Sequence, residues 1–246
     1  MESGLVMPHE RVDDLQRNGL RIIQNPAAFC FGMDAVLLAD FTVIRPKDQV
    51  ADLGTGTGIL PVLLSQKVET AKFHAFEVQR DMADMAARTM RLNGLERRVA
   101  VYGADMREAA GILGYGAMDA VVCNPPFGKK GCAMPSMLPS LRMARHEKGI
   151  NLAEIAAACT SLLRNHGRLS MVFPAMRLLE LCDELRANRL EPKRIRLVCA
   201  KRDRPPYLVL LEAMKNAGPS LLWLPPLVVC RRDGRETEEL RTIYHK

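Results

Sequence analysis

Several features are absent from this sequence, and each absence narrows the protein class. No stretch approaches the roughly 18 uncharged apolar residues that a membrane helix requires, and charged residues near the amino terminus interrupt any export-signal pattern. The seven cysteines are odd in number and contain no Cys-x-x-Cys pair, which argues against a zinc site or a redox couple. We therefore expect free thiols and a cytoplasmic protein without a membrane segment or a metal.

The length of the chain indicates the number of domains, and its net charge indicates the kind of partner. The chain has 246 residues, 48% of them hydrophobic, which is enough for one substantial core. We expect a single domain over 1–246, with an amino-terminal extension at 1–45, a core at 46–215 and a carboxy-terminal tail at 216–246. The net charge of +7 favours a polyanion such as a nucleic acid, and no obligate protein partner is evident.

Between about residues 48 and 213, short β-rich apolar runs alternate with longer helical patterns. This alternation indicates βαβ crossovers and a mostly parallel sheet. Strands are predicted at 49–53, 72–77, 99–102, 117–123, 168–173, 193–199 and 207–213. Helices are predicted at 59–66, 80–93, 152–164 and 175–188, and an amphipathic helix is predicted near 33–41. The segments 93–94 and 165–167 are interpreted as helix stop signals.

The last two predicted strands are joined by a link too short for a crossover helix, so they should pair antiparallel. The predicted fold is α/β, a doubly wound, seven-stranded, mostly parallel sheet with a terminal antiparallel hairpin. This arrangement resembles the Rossmann-like class I fold of S-adenosylmethionine-dependent methyltransferases.

A glycine-rich segment at 51–60 lies where the first core strand ends and a helix begins. Glycines there permit a tight turn and a close backbone approach to a ligand. Ile59 stands where a dinucleotide fold would have its third glycine, and no Lys-Ser/Thr pair follows, which argues against a P-loop. Glycine-rich turns alone are often structural. With the acidic Asp52 before it, however, the segment resembles the first methyltransferase motif, where a carboxylate suits a cationic amino-acid moiety.

Acidic residues end the next two strands as well. Glu77 stands where a carboxylate can accept both ribose hydroxyls, and the resemblance implies that Asp105 bonds an adenine amino group. S-adenosylmethionine is the cofactor that this pattern implies. The residues expected at the cofactor are Asp52, Gly54, Thr55, Gly56, Gly58, Glu77, Asp105 and Asn124.

The residues Asn124, Pro125, Pro126 and Phe127 follow the fourth strand and are the predicted catalytic group. An adenine amino nitrogen is a poor nucleophile because its lone pair is delocalised into the ring. The Asn124 side-chain oxygen and the Pro125 carbonyl can both accept hydrogen bonds from that amino group and orient it. The prolines stiffen the loop and Phe127 offers a face for stacking. Taken alone, Asn-Pro-Pro also fits a simple turn at the end of a strand.

Basic residues cluster in two places, and each cluster also fits a solvated surface. The first lies beside the predicted catalytic loop and is expected to grip RNA phosphates or the target nucleotide. Its members are Lys129, Lys130, Arg142, Arg145 and His146. The second surrounds the terminal hairpin and comprises Lys193, Arg194, Arg196, Lys201, Arg202 and Arg204. The segment 31–35 is interpreted as a helix start in which the acidic Asp34 is favourable with the helix dipole; the alternative is that this segment folds over the cofactor.

Taken together, the chain resembles the bacterial tRNA adenine-N6 methyltransferases that modify valine tRNA next to the anticodon. The resemblance spans about 8–232 and is carried by 20–24, 31–38, 52–61, 124–127, 142–147 and 190–195. It implies methylation of N6 of an adenine in tRNA.

Other functions fit part of the same pattern. A ribosomal-RNA base methyltransferase fits, and so does a release-factor glutamine methyltransferase, because a side-chain amide presents similar chemistry. The first 45 residues are short for the helical substrate domain of the latter. DNA adenine methylation would need a target-recognition domain that we do not see. A module that binds cofactor and RNA without catalysis is the alternative from a different class.

Overall fold

The computed structural model describes residues 4–27, 30–125 and 151–245. Within these ranges the strands are β1 (Arg11–Asp14), β2 (Arg21–Gln24), β3 (Gln49–Leu53), β4 (Lys72–Phe76), β5 (Val99–Tyr102), β6 (Met118–Cys123), β7 (Leu163–Pro174), β8 (Leu190–Cys199), β9 (Pro206–Lys215), β10 (Leu222–Trp223) and β11 (Leu227–Val228). The helices are α1 (Met33–Phe41), α2 (Ile59–Ser65), α3 (Arg80–Leu92), α4 (Ala109–Leu113), α5 (Leu152–Leu162), α6 (Leu178–Ala187) and α7 (Glu238–Ile243).

One central sheet organises the described part of the chain. Its strand order is β10-β8-β9-β7-β6-β3-β4-β5, and β11 pairs with β8 next to β10. Strands β3 to β7 run parallel, whereas β9 is antiparallel to both β7 and β8. The predicted α/β class and the terminal antiparallel hairpin are therefore confirmed.

The seven-strand count was too low, although all seven predicted strands form. The described residues add the short strands β10 and β11, which both pair parallel with β8 and bring the sheet to nine. Each is only two residues long. A pair of residues is too short to show the alternation on which strand prediction depends.

The stop signal predicted at 165–167 was also placed in the wrong element. Helix α5 already ends at Leu162, and residues 165–167 lie inside β7. The pairing between β6 and β7 shifts register between Met118 and Ala120, and His166 has a φ of +58°. Turn-type residues therefore mark an irregularity within a strand here.

The sheet buries a hydrophobic layer on each face. Along β3, Val50 packs into one layer, while Ala51 and Leu53 pack into the other. Residues from α1 and α2 complete the first layer, and residues from α4, α5 and α6 complete the second. Strands buried on both faces need apolar residues at consecutive positions, which is why β3 does not alternate with polar residues.

Helix α1 forms at its predicted residues but is not amphipathic. Five consecutive residues, Ala35 to Ala39, are buried, and α1 contacts α2, α7, β7 and β9. An element packed on several sides needs apolar side chains around most of its surface. The polar residues Asp34 and Asp40 lie near its two ends.

The amino-terminal strands are fastened to α3. Strand β2 contacts α3, and the side-chain amide of Asn93 donates to the Arg21 carbonyl at 2.6 Å. The buried Arg88 guanidinium donates to Glu10 at 2.7 Å from Nη2 and holds the pKa of that carboxyl below its usual range. Within the described residues, no helix combines the length and apolar character needed to cross a membrane.

Candidate active site

The glycine turn forms between β3 and α2, as predicted. Gly54, Gly56 and Gly58 have φ values of +81°, +59° and +90°, a region that L side chains rarely adopt. The amides of Gly54 and Thr55 both donate to the Phe76 carbonyl at 2.9 Å, which ties the turn to β4. A Cβ on Gly58 would lie 2.5 Å from the Met90 methyl carbon, so this glycine also allows close packing on α3.

Asp52 lies beneath this turn with no exposed surface. Both of its carboxylate oxygens, and the Thr55 hydroxyl, are buried without a hydrogen-bond partner among the described residues. Burial raises the pKa of Asp52 to about 7, and the negative charge of Glu77 raises it further. The nearby Thr55 hydroxyl lowers this pKa, although it does not reach hydrogen-bond geometry with the carboxylate. A ligand with a cationic group would favour the ionised carboxylate.

Glu77 follows β4 and braces the glycine turn. Its Oε2 accepts from the Gly56 amide at 3.0 Å, and its Oε1 accepts from the Gln79 amide at 2.9 Å. The side chain is 7% exposed. A carboxylate oxygen has two lone-pair sites, so each oxygen retains one acceptor position for a ligand hydroxyl.

Asp105 lies in the turn after β5 and is engaged by Arg107. Its Oδ2 accepts from the Arg107 guanidinium at 2.6 Å, and its Oδ1 accepts from the Arg107 amide at 2.9 Å. This pairing lowers the pKa of Asp105. Arg107 also donates to Glu154 at 3.1 Å and so links this turn to the start of α5. The role of Asp105 toward an adenine stays a prediction.

Asn124 directly follows β6, the strand beside β3. Cys123 pairs with Leu53, so Asn124 and the glycine turn emerge from the ends of neighbouring parallel strands. Pro125 is buried. The other predicted residues of the catalytic loop and the adjoining basic segment lie outside the described residues. These are Pro126, Phe127, Lys129, Lys130, Arg142, Arg145 and His146.

The side-chain amide of Asn124 has a partner that the sequence interpretation missed. Asn124 Nδ2 donates to Asp34 Oδ2 of α1 at 3.3 Å. An ionised carboxylate can only accept, so this contact directs the nitrogen toward Asp34 and leaves Oδ1 on the other side. A Cβ on Gly32 would lie 2.6 Å from Asp34 Oδ1, so glycine leaves room for this side chain. Two sequence signals pointed to this region: Asp34 lies within the block 31–38 that carried the family resemblance, and the segment 31–35 had folding over the cofactor as an alternative interpretation.

Metal ligands are not clustered in the part of the chain that the structure describes. No group of three or more His, Cys, Asp or Glu side chains there could hold an ion. The six cysteines in the described ranges are free thiols, and burial raises the pKa of Cys123 and Cys159.

Known structures share this fold. A protein described as a predicted O-methyltransferase from Agrobacterium tumefaciens superposes with a TM-score of 0.71 at 20% identity, covering 87% of this chain and 96% of its own. Pyrococcus horikoshii TYW2, solved in complex with MeSAdo, gives a TM-score of 0.59 at 16% identity, covering 86% of this chain and 73% of its own. At these identities the likeness establishes the fold alone.

Comparison with related sequences indicates the family to which the chain belongs. Proteins named tRNA1(Val) (adenine(37)-N6)-methyltransferase match from Porphyromonas gingivalis, at 27% identity over 78% of this chain and 76% of the relative, and from Tolumonas auensis, at 27% over 77% and 78%. The family model for the methyltransferase small domain matches residues 19–180. With the glycine turn and Asn124 at the ends of paired strands, this match shows that the chain belongs to the methyltransferase small domain family.

Proposed function

We propose that the protein transfers a methyl group from S-adenosylmethionine to the N6 amino group of an adenine in tRNA, in valine tRNA next to the anticodon. The observation that carries the proposal is the placement of Asn124 beside the glycine turn, at the ends of paired strands β6 and β3. The names of the relatives supply the substrate: tRNA1(Val) and N6 of adenine 37.

The residues of the site fit this cofactor. S-adenosylmethionine, when bound, supplies an electrophilic methyl group on a sulfonium. Glu77 retains acceptor positions for the two ribose hydroxyls, and the unpaired carboxylate of Asp52 favours the positively charged end of the molecule. The positive-φ glycines of the turn allow the backbone to approach the ligand closely. Asp105 is assigned to the adenine amino group.

On the acceptor side, the residues of this chain act by orientation. The Asn124 Oδ1 and the Pro125 carbonyl accept hydrogen bonds from the two hydrogens of the amino group, which localises the nitrogen lone pair. Neither group removes a proton, so the methylated nitrogen releases its proton to water. Phe127 stacks on the base, which must be unpaired or flipped out of its stack to reach the loop. Lys129, Lys130, Arg142, Arg145 and His146 contact the RNA in this proposal.

The test is a methylation assay with wild-type protein and Asn124→Ala. Separate pools of unmodified tRNA, ribosomal RNA, DNA and a release factor are incubated with isotopically labelled S-adenosylmethionine, and the labelled group is identified by mass spectrometry. Wild type should label N6-methyladenosine in tRNA. Removing an acceptor that acts in the transition state should lower kcat at least about 100-fold, while cofactor affinity measured by calorimetry is retained.

Asn165→Ala is the matched control, because Asn165 is exposed at the far end of β7. It should methylate like wild type. Label in ribosomal RNA, DNA or a release factor instead of tRNA would replace the proposed substrate. Equal methylation by Asn124→Ala and wild type would refute the role of Asn124, and RNA binding with no methyl transfer would indicate a non-catalytic module.

A further inference from the structure

The basic cluster predicted around the terminal hairpin divides into two parts in the structure. Arg194 donates to Glu212 at 3.1 Å and stacks over the Phe41 ring at 4.3 Å. Arg196 pairs with Glu239, and Lys193 donates to the Gly218 carbonyl at 3.0 Å. These three residues hold the hairpin, α1 and the tail together. They are therefore committed to the fold.

The remaining cations of the cluster, Lys201, Arg202 and Arg204, lie in the turn next to the carboxy-terminal tail. Strand β11 pairs with β8, and beyond it the amides of Val229 and Cys230 donate to the carbonyls of Cys199 and Ala200, both at 2.9 Å. This docking places the turn at 231–235 beside the turn at 200–205, and one concave surface is lined by residues of both. We call the cations of these turns the basic rim. Its residues are Lys201, Arg202, Arg204, Arg231 and Arg232.

The basic rim carries charge that the protein itself does not neutralise. Four of its residues are exposed, and none of the five forms an ion pair within the described residues. The two turns contain two acidic residues, and neither neutralises a cation of the rim. Asp233 pairs with Arg235 at 3.9 Å, and Asp203 forms no ion pair within the described residues. In contrast, the buried Arg168 pairs with Asp48 at 2.6 Å. Unpaired like charges held together repel one another and attract polyanions.

Sheet register gives the position of the basic rim relative to Asn124. Strand β9 lies two strands from β6, a lateral distance of about 10 Å. The pairing of β6 with β7 and of β7 with β9 places Leu210 of β9 at the same position along the strands as Asn124. From Leu210 to Pro206, β9 extends about 13 Å further toward the edge of the sheet at which Asn124 lies. Together these two components place Pro206 about 16 Å from Asn124, and the rim lies beyond Pro206 on the same edge of the sheet as the candidate active site.

We propose that the basic rim binds the phosphate backbone of the tRNA to one side of the target adenine; this rests on the proposed function. At more than about 16 Å, the rim is too far from Asn124 to touch a base held there, but it can reach nucleotides that flank it. Arg and Lys contacts to phosphates supply affinity that is independent of sequence and falls with salt. The tail thus contributes to substrate binding rather than to chemistry.

The test compares wild type with the triple variant Arg202→Gln, Arg231→Gln, Arg232→Gln. The variant should raise KM for tRNA, and Kd measured by fluorescence anisotropy, about tenfold or more near physiological salt. Its kcat at saturating tRNA and its affinity for S-adenosylmethionine should match wild type. The slope of log Kd against log salt concentration should fall by about 2, because each lost phosphate contact removes about 0.7 to 0.9.

The matched control is the triple variant Lys47→Gln, Lys72→Gln, Arg97→Gln, which removes the same charge from exposed positions at the opposite edge of the sheet. It should bind tRNA nearly as wild type does. Equal weakening by both triple variants would overturn the proposal in favour of a general charge effect. An unchanged Kd in the rim variant, or a fall in kcat without a change in Kd, would overturn it as well.

The anisotropy measurement separates this proposal from the proposed function. If wild type methylates no RNA but binds tRNA through the basic rim, the proposed function fails and the rim assignment stands. If wild type methylates tRNA and the rim variant binds it unchanged, the rim assignment alone fails. Binding of wild type to anionic lipid vesicles, lost in the rim variant while tRNA binding is retained, would assign the rim to a membrane surface and overturn the proposal.

Discussion

The two ends of the site differ in how far along the chain their residues come from. At the cofactor end, Asp52 and the glycine turn belong to one short segment, and Glu77 braces that segment from the next strand. At the acceptor end, Asn124 is held by Asp34, which lies 90 residues earlier in the chain. The cofactor end is thus built from neighbouring elements and the acceptor end from distant ones, so the acceptor end depends more on the packing of the whole domain.

The two ends also differ in burial. Asp52 and Glu77 are buried, and Glu77 makes two hydrogen bonds to backbone amides. Asn124 and Asp34 are both partly exposed and share one contact of 3.3 Å. Buried hydrogen bonds such as those of Glu77 are rigid, whereas a single longer hydrogen bond between partly exposed side chains is easier to displace. The cofactor end is therefore the more preorganised of the two.

The largest expected effect tests the cofactor end. Glu77→Gln keeps the shape of the side chain but replaces one acceptor oxygen by an NH2 donor. This NH2 group would face either a backbone amide of the turn, which is also a donor, or a ribose hydroxyl. Losing hydrogen bonds to a charged group costs about 1.5–3 kcal/mol, so affinity for S-adenosylmethionine should fall about 100-fold by calorimetry. Glu69→Gln, at an exposed position, is the control. Unchanged affinity in Glu77→Gln would remove Glu77 from the cofactor site.

An intermediate effect is expected at the acceptor end. Asp34→Ala removes the partner of Asn124 Nδ2 and frees the amide to rotate, so kcat should fall about tenfold, the value of one hydrogen bond to a charged group. Affinity for S-adenosylmethionine should stay within about twofold of wild type. Asp34→Asn, which can still accept, should retain more activity than Asp34→Ala.

Asp40→Ala provides the control on the same helix, because Asp40 is exposed at its other end. It should keep wild-type kcat. If cofactor affinity fell in parallel with kcat in Asp34→Ala, the acceptor end would not be functionally separable from the cofactor end. If kcat did not change, the contact with Asn124 would have no catalytic consequence.

The smallest effect is a pH dependence of stability at Asp52. Burial raises the pKa of Asp52 to about 7 in the folded protein, above the unfolded value of about 3.9. The folded state therefore binds the proton more tightly, and this group makes the protein less stable as pH rises from about 4 through 7. Without cofactor, the unfolding free energy of wild type relative to Asp52→Asn should fall by about 1 kcal/mol between pH 6 and pH 8.

Denaturant unfolding of both proteins at the two pH values measures this difference, and the other titrating groups cancel in the comparison. A constant difference between wild type and Asp52→Asn across this range would mean that Asp52 does not ionise within it. The buried carboxylate would then contribute no charge toward a ligand.

Prediction from the sequence succeeded where a short segment determines its own structure. The glycine turn and the strands β3, β4 and β6 were placed within a residue or two, because apolar runs and glycine spacing are local signals. It was wrong about the character of α1, whose apolar surroundings come from α2, α7 and the sheet. It also missed β10 and β11, which exist only because β8 offers them an edge.

The sequence by itself determined the α/β class, the terminal hairpin, the glycine turn and the position of Asn124 after a core strand. These follow from hydrophobic periodicity and turn chemistry, which act over a few residues. Only the tertiary structure decided that Asp34 contacts Asn124, that Arg107 pairs with Glu154, and that the tail joins the hairpin to form the basic rim. Such contacts depend on how distant elements pack, because hydrogen bonds and ion pairs require an approach of a few ångströms that no local pattern encodes.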